Sequence, residues 1–190
     1  MDQEIDILPR FLEGDRLYLR LLLETDADGP YLHWLNDATV CQGNSHHVYP
    51  YSKKQALEYI QYAANTDKEL ILAIVLKARD RHIGNVALER IHPIYRSAQF
   101  AILLGDKSQW SKGYGLEAGQ LLIRHGFSAL NLNRIECATF ETNMAMRKLA
   151  VALGMREEGV RKQAAYKDGR YLDIVEFGLL REEFKGYQVL

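Results

Sequence analysis

Arg16-Leu17-Tyr18-Leu19-Arg20-Leu21 alternates polar and apolar residues, the period of a strand with one buried face. Thr25-Asp26-Ala27-Asp28 reads as a helix start, and Tyr31, Leu32, Trp34 and Leu35 form an apolar stripe that Asn36-Asp37 ends. From Cys41 to Tyr51 the periodicity disappears. That segment carries Gly43, Asn44, His46, His47 and Pro50, and its length as a loop points to function. Ser52 with Gln55 three residues on spells a capping box, opening a helix whose buried face is Ala56, Leu57, Tyr59, Ile60 and Ala63.

Glu69 to Lys77 is an almost unbroken apolar run, expected as a central strand, with a turn at Ala78 to Arg81 and a returning strand from His82 to Ile91. Ser97 to Leu104 is the next strand. A glycine-containing turn and a helix bearing Leu116, Leu121, Leu122, Ile123 and Phe127 follow it. Arg134 to Phe140 reads as a strand, Asn143 to Leu153 as a helix stopped at Gly154-Met155, and the last two strands flank Lys167-Asp168-Gly169-Arg170, an Asp-Gly hairpin signal. Strands, helices and hairpins in this order predict an α/β (α+β) fold, a mixed sheet with helices on its faces, rather than a doubly wound one. No repeat or linker divides the chain, so residues 1–190 are expected to form a single domain.

Composition narrows the partners. The 190 residues are 47% hydrophobic and 26% charged with a net charge of -1, which gives no field for nucleic acid. Cys41 and Cys137 stand far apart without metal-ligand spacing, so neither a zinc site nor a disulfide framework is expected, and no metal is assigned. Met1-Asp2-Gln3-Glu4-Ile5-Asp6 lacks the basic and apolar regions of a signal peptide, and no apolar run reaches the length of a membrane span. A cytoplasmic protein without a membrane partner is the expectation; a homodimer is left open.

The chemistry is carried by Trp110-Ser111-Lys112-Gly113-Tyr114-Gly115-Leu116-Glu117-Ala118, lying between a strand and a helix. The first amides of a helix have no intrahelical partner and sit at its positive dipole end, where a pyrophosphate fits. Glycine lets the backbone come close to phosphate oxygens. A tight turn with a permissive helix entry would use the same glycines. A dinucleotide fingerprint needs a third glycine where Ala118 stands, and a P-loop needs its lysine after the glycine, whereas Lys112 precedes Gly113. A second constellation is Asn143, which follows a strand and opens a helix ending in Leu153-Gly154-Met155.

With these motifs the chain resembles the GNAT superfamily of acetyl-CoA-dependent N-acetyltransferases, nearest the branch of ribosomal-protein alanine and spermidine N-acetyltransferases. The resemblance runs from about Arg16 to Glu183. It rests on Leu17-Tyr18-Leu19-Arg20, Ile83-Gly84-Asn85-Val86, the glycine turn, Phe127 to Ile135, Asn143 with Leu153-Gly154-Met155, and Glu158-Gly159-Val160-Arg161. It implies a mostly antiparallel sheet of about seven strands, splayed between the fourth and fifth. It also implies acetyl-CoA as cosubstrate, its pyrophosphate on the amides of Trp110, Ser111, Lys112, Gly113, Tyr114, Gly115 and Leu116. Pantetheine would pair with the backbone of Ile102, Leu103 and Leu104, and Asn143 would touch the cofactor near the thioester or the pantetheine.

Amine attack on a thioester needs a neutral nitrogen, a polarised carbonyl and a route for the thiolate. The tyrosine that spermidine enzymes place in the helix after the asparagine corresponds to Ala150, so that acid does not carry over. Tyr166 or a water could replace it. Glu89 is the first candidate base, followed by His46 and His47 in the polar loop, each of which could equally be a solvated surface group; Glu141 is third and could instead only support its neighbour Asn143. The region that should contact the acceptor, His33 to Asp37 and Asn44 to Tyr49, is aromatic and neutral. It disfavours a polycation and leaves an amino sugar or a peptide or protein N-terminus as the primary amine. The rival reading is an acyl-CoA-binding regulatory or scaffold module without turnover.

Overall fold

Strand alternation decides how the layers stack. In the computed structural model, which describes residues 10–186, Leu17, Leu19, Leu72, Ile74, Leu88 and Phe100 turn to one face, while Tyr18, Ile71, Ala73, Val75 and Ala87 turn to the other. Each face therefore needs its own cover. The acidic segment Met1–Asp6 lies outside the described residues.

The strands are β1 (Leu12–Glu13), β2 (Leu17–Leu21), β3 (Leu70–Leu76), β4 (Arg81–His92), β5 (Ser97–Leu104), β6 (Arg134–Phe140), β7 (Arg156–Lys167) and β8 (Arg170–Leu180). They form one sheet in the order β1-β2-β3-β4-β5-β6-β8-β7. The eight include the two-residue β1, too short to leave a periodic signal in the sequence, which pairs Leu12 with Leu19. The helices are α1 (Tyr31–Leu35), α2 (Lys53–Asn65), α3 (Tyr114–Ser128) and α4 (Met144–Ala152). Thr25 to Asp28 belongs to a 3-10 turn spanning Glu24–Asp28, and α1 begins only after Pro30. No described helix is long and apolar enough to cross a membrane.

Tyr31, Trp34 and Ile60 of α1 and α2 close one core; Leu122, Ile123 and Phe127 of α3 close the other, where α4 joins it through Leu149 and Leu153. The α3 helix can settle deeply because small residues face inward. A Cβ on Gly119 would stand 2.9 Å from Leu153 Cδ2 and 3.2 Å from Phe100 Cζ, so helix, sheet and α4 already touch there.

Every neighbouring pair of strands is antiparallel except β5 and β6. That parallel pair is held only at Ser97 with Arg134, Ala98 with Ile135 and Gln99 with Glu136. Beyond Gln99, β5 stays paired to β4 as far as Leu104 opposite Gly84, while β6 continues along β8 to Phe140 opposite Ile174. The two strands part, and β5 is left with an unpaired backbone edge. This is the expected splay, the fourth and fifth expected strands being β5 and β6.

Substituting Gly119→Leu should overpack the junction of α3, β5 and α4 and lower stability by about 1–3 kcal/mol. Urea denaturation followed by circular dichroism measures it, and an unchanged midpoint would contradict this packing.

Candidate active site

The end of β5 leads into the glycine turn through a 3-10 turn at Lys107–Gln109, opened by Asp106, whose Oδ1 accepts from the Ser108 amide at 3.1 Å. Trp110 then donates its indole N–H to the Leu104 carbonyl at 2.7 Å, fastening the turn to the strand. Ser111 and Gly113 take left-handed φ values of 60° and 82°, which rotate successive amides toward one side. The first α3 bond runs from Glu117 N to Gly113 O at 3.1 Å. No hydrogen bond from a described residue occupies the amides of Ser111 through Leu116, which form a row of donors at a helix N-terminus.

A charged clamp holds this row in place. Arg16 donates through Nη1 to the Lys112 carbonyl and through Nε to Glu117 Oε2, each at 2.8 Å, and its guanidinium lies 4.7 Å from the Tyr114 ring centroid. Glu117 Oε1 accepts from the Arg16 amide at 2.8 Å. One guanidinium thus ties the loop, the first turn of α3 and the start of β2. Arg16 is a site residue that sequence reasoning missed, since it stands there only as the polar member of a strand pattern.

Beside the open edge of β5, on the face covered by α1 and α2, lies a pocket of about 330 Å³. Its walls are Tyr31, Tyr51 and Tyr59, its floor is Ala101, Ile102 and Leu103 of β5 with Asn85 and Glu89 of β4, and Asn44 and His46 close the loop side. Burial pushes the Glu89 carboxyl above its ordinary pKa, the charge of Glu69 adds to the effect, and Arg90 opposes it. Burial also raises the Tyr59 hydroxyl, with Glu89 the next cause. His46 is solvent-accessible as a residue, yet crowding by protein lowers its pKa, helped by Lys167, whose Nζ donates to the His46 carbonyl at 3.1 Å.

The other candidates stand elsewhere. His47 is exposed, with a φ of 66°, and is not among the pocket-lining residues. Tyr166 is 65% exposed on β7, its ring edge-on to Tyr171 at 5.2 Å, and it does not line the pocket. Glu141 accepts from the Asp173 amide at 3.2 Å, which ties it to β8. Asn143 caps α4 by accepting from the Met146 amide at 3.0 Å, and its Nδ2 donates to the Gly43 carbonyl at 3.0 Å. The asparagine therefore pins the Cys41–Tyr51 loop to α4 across the mouth of the splay. Ala150 is fully buried on the inner face of α4.

A second charged group, also missed from sequence, lies under the pocket. Arg20 grips Asp26 through Nη1 and Nη2, each at 2.8 Å, and the Leu23 amide donates to Asp26 Oδ2 at 2.8 Å. His82 Nδ1 lies 3.3 Å from Asp26 Oδ1, without the alignment of a hydrogen bond. Desolvation alone would raise the Asp26 pKa; the contacts with Arg20 and His82 outweigh it and hold the carboxyl far below the usual range. An arginine on a half-apolar strand and a histidine inside an apolar run were the available signals.

Comparison with known proteins places this geometry. The model of the acetyltransferase (GNAT) domain family matches residues 16–156. The uncharacterised N-acetyltransferase p20 of Bacillus licheniformis is 31% identical over 179 residues, covering 92% of this chain and 98% of that protein. Spermidine N(1)-acetyltransferase of Vibrio cholerae is 27% identical over 135 residues, 71% of this chain and 78% of that protein. The crystal structure of spermidine N-acetyltransferase from Vibrio cholerae in complex with CoA and spermine shares the fold, with a TM-score of 0.80 at 23% identity over 89% of this chain and 98% of that one.

Because the folded Asp26 pKa is depressed, its contribution to stability is complete above the ordinary carboxylate value and is lost as pH falls below it. Asp26→Asn should flatten this acid limb of the stability profile. At neutral pH it should cost about 3–5 kcal/mol by leaving Arg20 buried without its counter-charge. Urea midpoints measured between pH 3 and 7 test both, and a parallel pair of profiles would contradict the assignment.

Proposed function

The chain belongs to the GNAT acetyltransferase family, and from that premise we propose that it acetylates the primary amine of an amino sugar or of a peptide or protein N-terminus. It is an acyltransferase enzyme whose acetyl donor is acetyl-CoA. The observation that carries it is the unpaired edge of β5, which runs from the amides at residues 111–116 to the pocket holding Glu89.

In this reading the pyrophosphate rests on the amides of residues 111–116, helped by the dipole of α3; the Trp110 amide, expected in the same row, is taken by the Lys107 carbonyl at 3.2 Å. Pantetheine amides pair with Ile102, Leu103 and Leu104 as an added strand would. A strand amide aimed at the thioester carbonyl stabilises the negative oxygen that develops on attack. The amine enters from the aromatic pocket, on the opposite side of that edge from the turn. Glu89 takes its proton directly or through a water, a role suited to a carboxyl whose pKa burial has raised. Asn143 holds the loop that closes the site. Ala150 offers no acid, so the thiolate departs without a dedicated proton donor; His47 and Tyr166, outside the pocket, have no part in the step.

The pocket also argues about charge. Glu89 is the one carboxylate among the described residues that line it, and three tyrosines surround it. A polyamine would find little compensation for a second and third ammonium. A single amine carried on a neutral, hydrogen-bonding body fits better, despite the likeness to spermidine enzymes.

Gly113→Glu should weaken coenzyme A binding at least about ten-fold, through a carboxylate facing the pyrophosphate and a side chain forced to positive φ. Calorimetry on the folded variant decides it, and unchanged affinity would remove the cradle. Glu89→Gln should lower kcat/KM by about 10²–10⁴-fold on the alkaline side, where the wild-type carboxylate is ionised. It should also remove the part of the acid limb due to Glu89, which lies above the ordinary carboxylate range because its pKa is raised, and leave the part due to protonation of the amine itself. An unaltered pH profile would demote Glu89.

A further inference from the structure

Asn85 is more than nine-tenths buried, in the middle of β4, on the face it shares with Ala87 and Glu89. Its orientation follows from its neighbour. His82 Nε2 lies 2.9 Å from the Gly84 carbonyl oxygen and 2.8 Å from the Asn85 side chain. A carbonyl can only accept, so Nε2 carries the ring proton. The Asn85 atom that meets the same N–H must accept as well, which makes it Oδ1 and turns the NH2 group the other way. No described residue accepts a hydrogen bond from that NH2, and it is not sealed off from the pocket that Asn85 lines.

The histidine is itself held. Trp34 packs edge-on against its ring at 5.0 Å, Tyr31 lies tilted to it at 6.2 Å, and Asp26, gripped by Arg20, faces its Nδ1. The chain of contacts from β2 through His82 thus ends in two N–H donors aimed at the acceptor pocket. Asn85 is paired with Leu103 across the β4–β5 ladder, which sets those donors beside the strand segment assigned to pantetheine.

We propose that Asn85 is a specificity-determining residue that donates to an oxygen on the carbon next to the one bearing the reacting amine, with His82 as its positioning residue. Two acceptors carry such an oxygen: the α-amino carbonyl unit of a peptide N-terminus and the vicinal hydroxyl of an amino sugar. An alkyl polyamine presents methylene there and leaves a buried donor unpaired, a mismatch that sites built around a hydrogen bond reject. The inference rests on the acetyl-transfer reading for the identity of the pocket, and its test is separable from that reading.

The experiment measures equilibrium binding to the coenzyme A-loaded protein of two matched pairs, trans-2-aminocyclohexanol against cyclohexylamine and L-alaninamide against 3-methylbutan-2-amine. Thiol release from acetyl-CoA is followed in parallel. Wild type should favour the oxygenated member of at least one pair by about ten-fold or more. Asn85→Asp keeps the shape and the acceptor for His82 while removing the donor, so the ratio should fall to about one or below with coenzyme A affinity unchanged. A wild-type ratio of one in both pairs overturns the inference whether or not the variant folds, and so does a ratio that survives Asn85→Asp. A ten-fold ratio without thiol release would sustain the specificity role and sink the acetyl-transfer reading instead.

Discussion

Three residues of parallel pairing between β5 and β6, and no more, set the architecture of the site. Because the ladder ends at Gln99 and Glu136, β5 keeps one edge satisfied by β4 and leaves the other open. An unpaired buried edge is costly unless a ligand or water completes it. The edge therefore behaves as the missing half of a β-ladder, and its length and direction match an extended chain of amides. The glycine turn is placed at one end of that edge, while the pocket flanks it on the α1 and α2 side.

Two charged pairs keep the surroundings in register with the edge. Arg16 and Glu117 bind the glycine turn to the start of β2, so the row of amides is fixed relative to the sheet instead of drifting with a surface loop. Arg20 and Asp26 perform the equivalent task on the other face, under the pocket floor. Such pairs give modest net stability, since solvent screens the half-exposed Arg16 and desolvation opposes the attraction between Arg20 and Asp26. Their stronger effect is geometric: both arginines leave β2 or its entry, and each ties a different wall of the site to one strand. Asn143 adds a third tie, from α4 to the loop at Gly43.

Much of this was legible in the residues because it depends on local rules. Apolar period, the Ser52–Gln55 capping box and the Lys167–Arg170 turn act within a few positions, and each appears at the expected place. The glycine turn was legible because strand, turn and helix occur in order. What escaped depends on contacts between distant segments. Nothing local distinguishes His46 from His47, yet backbone geometry places the first at the pocket and leaves the second exposed. Asp26 looks like a helix-start residue and does accept the Leu23 amide, but its second role needs Arg20 and His82 from other strands. Asn85 reads only as one letter of a motif until His82 fixes which way its amide points. Tyr166 falls next to Lys167, which reaches the His46 loop, while its own ring turns to Tyr171.

The most direct measurement is residue-resolved amide hydrogen exchange with and without coenzyme A. The amides of residues 111–116, and those of Ile102, Leu103 and Leu104 that face the open edge, should exchange readily in the free protein and slow markedly when coenzyme A is bound. Those of Ser97 to Gln99, already in the ladder with β6, should change little. Protection that appears elsewhere while these two stretches stay unaltered would contradict the account.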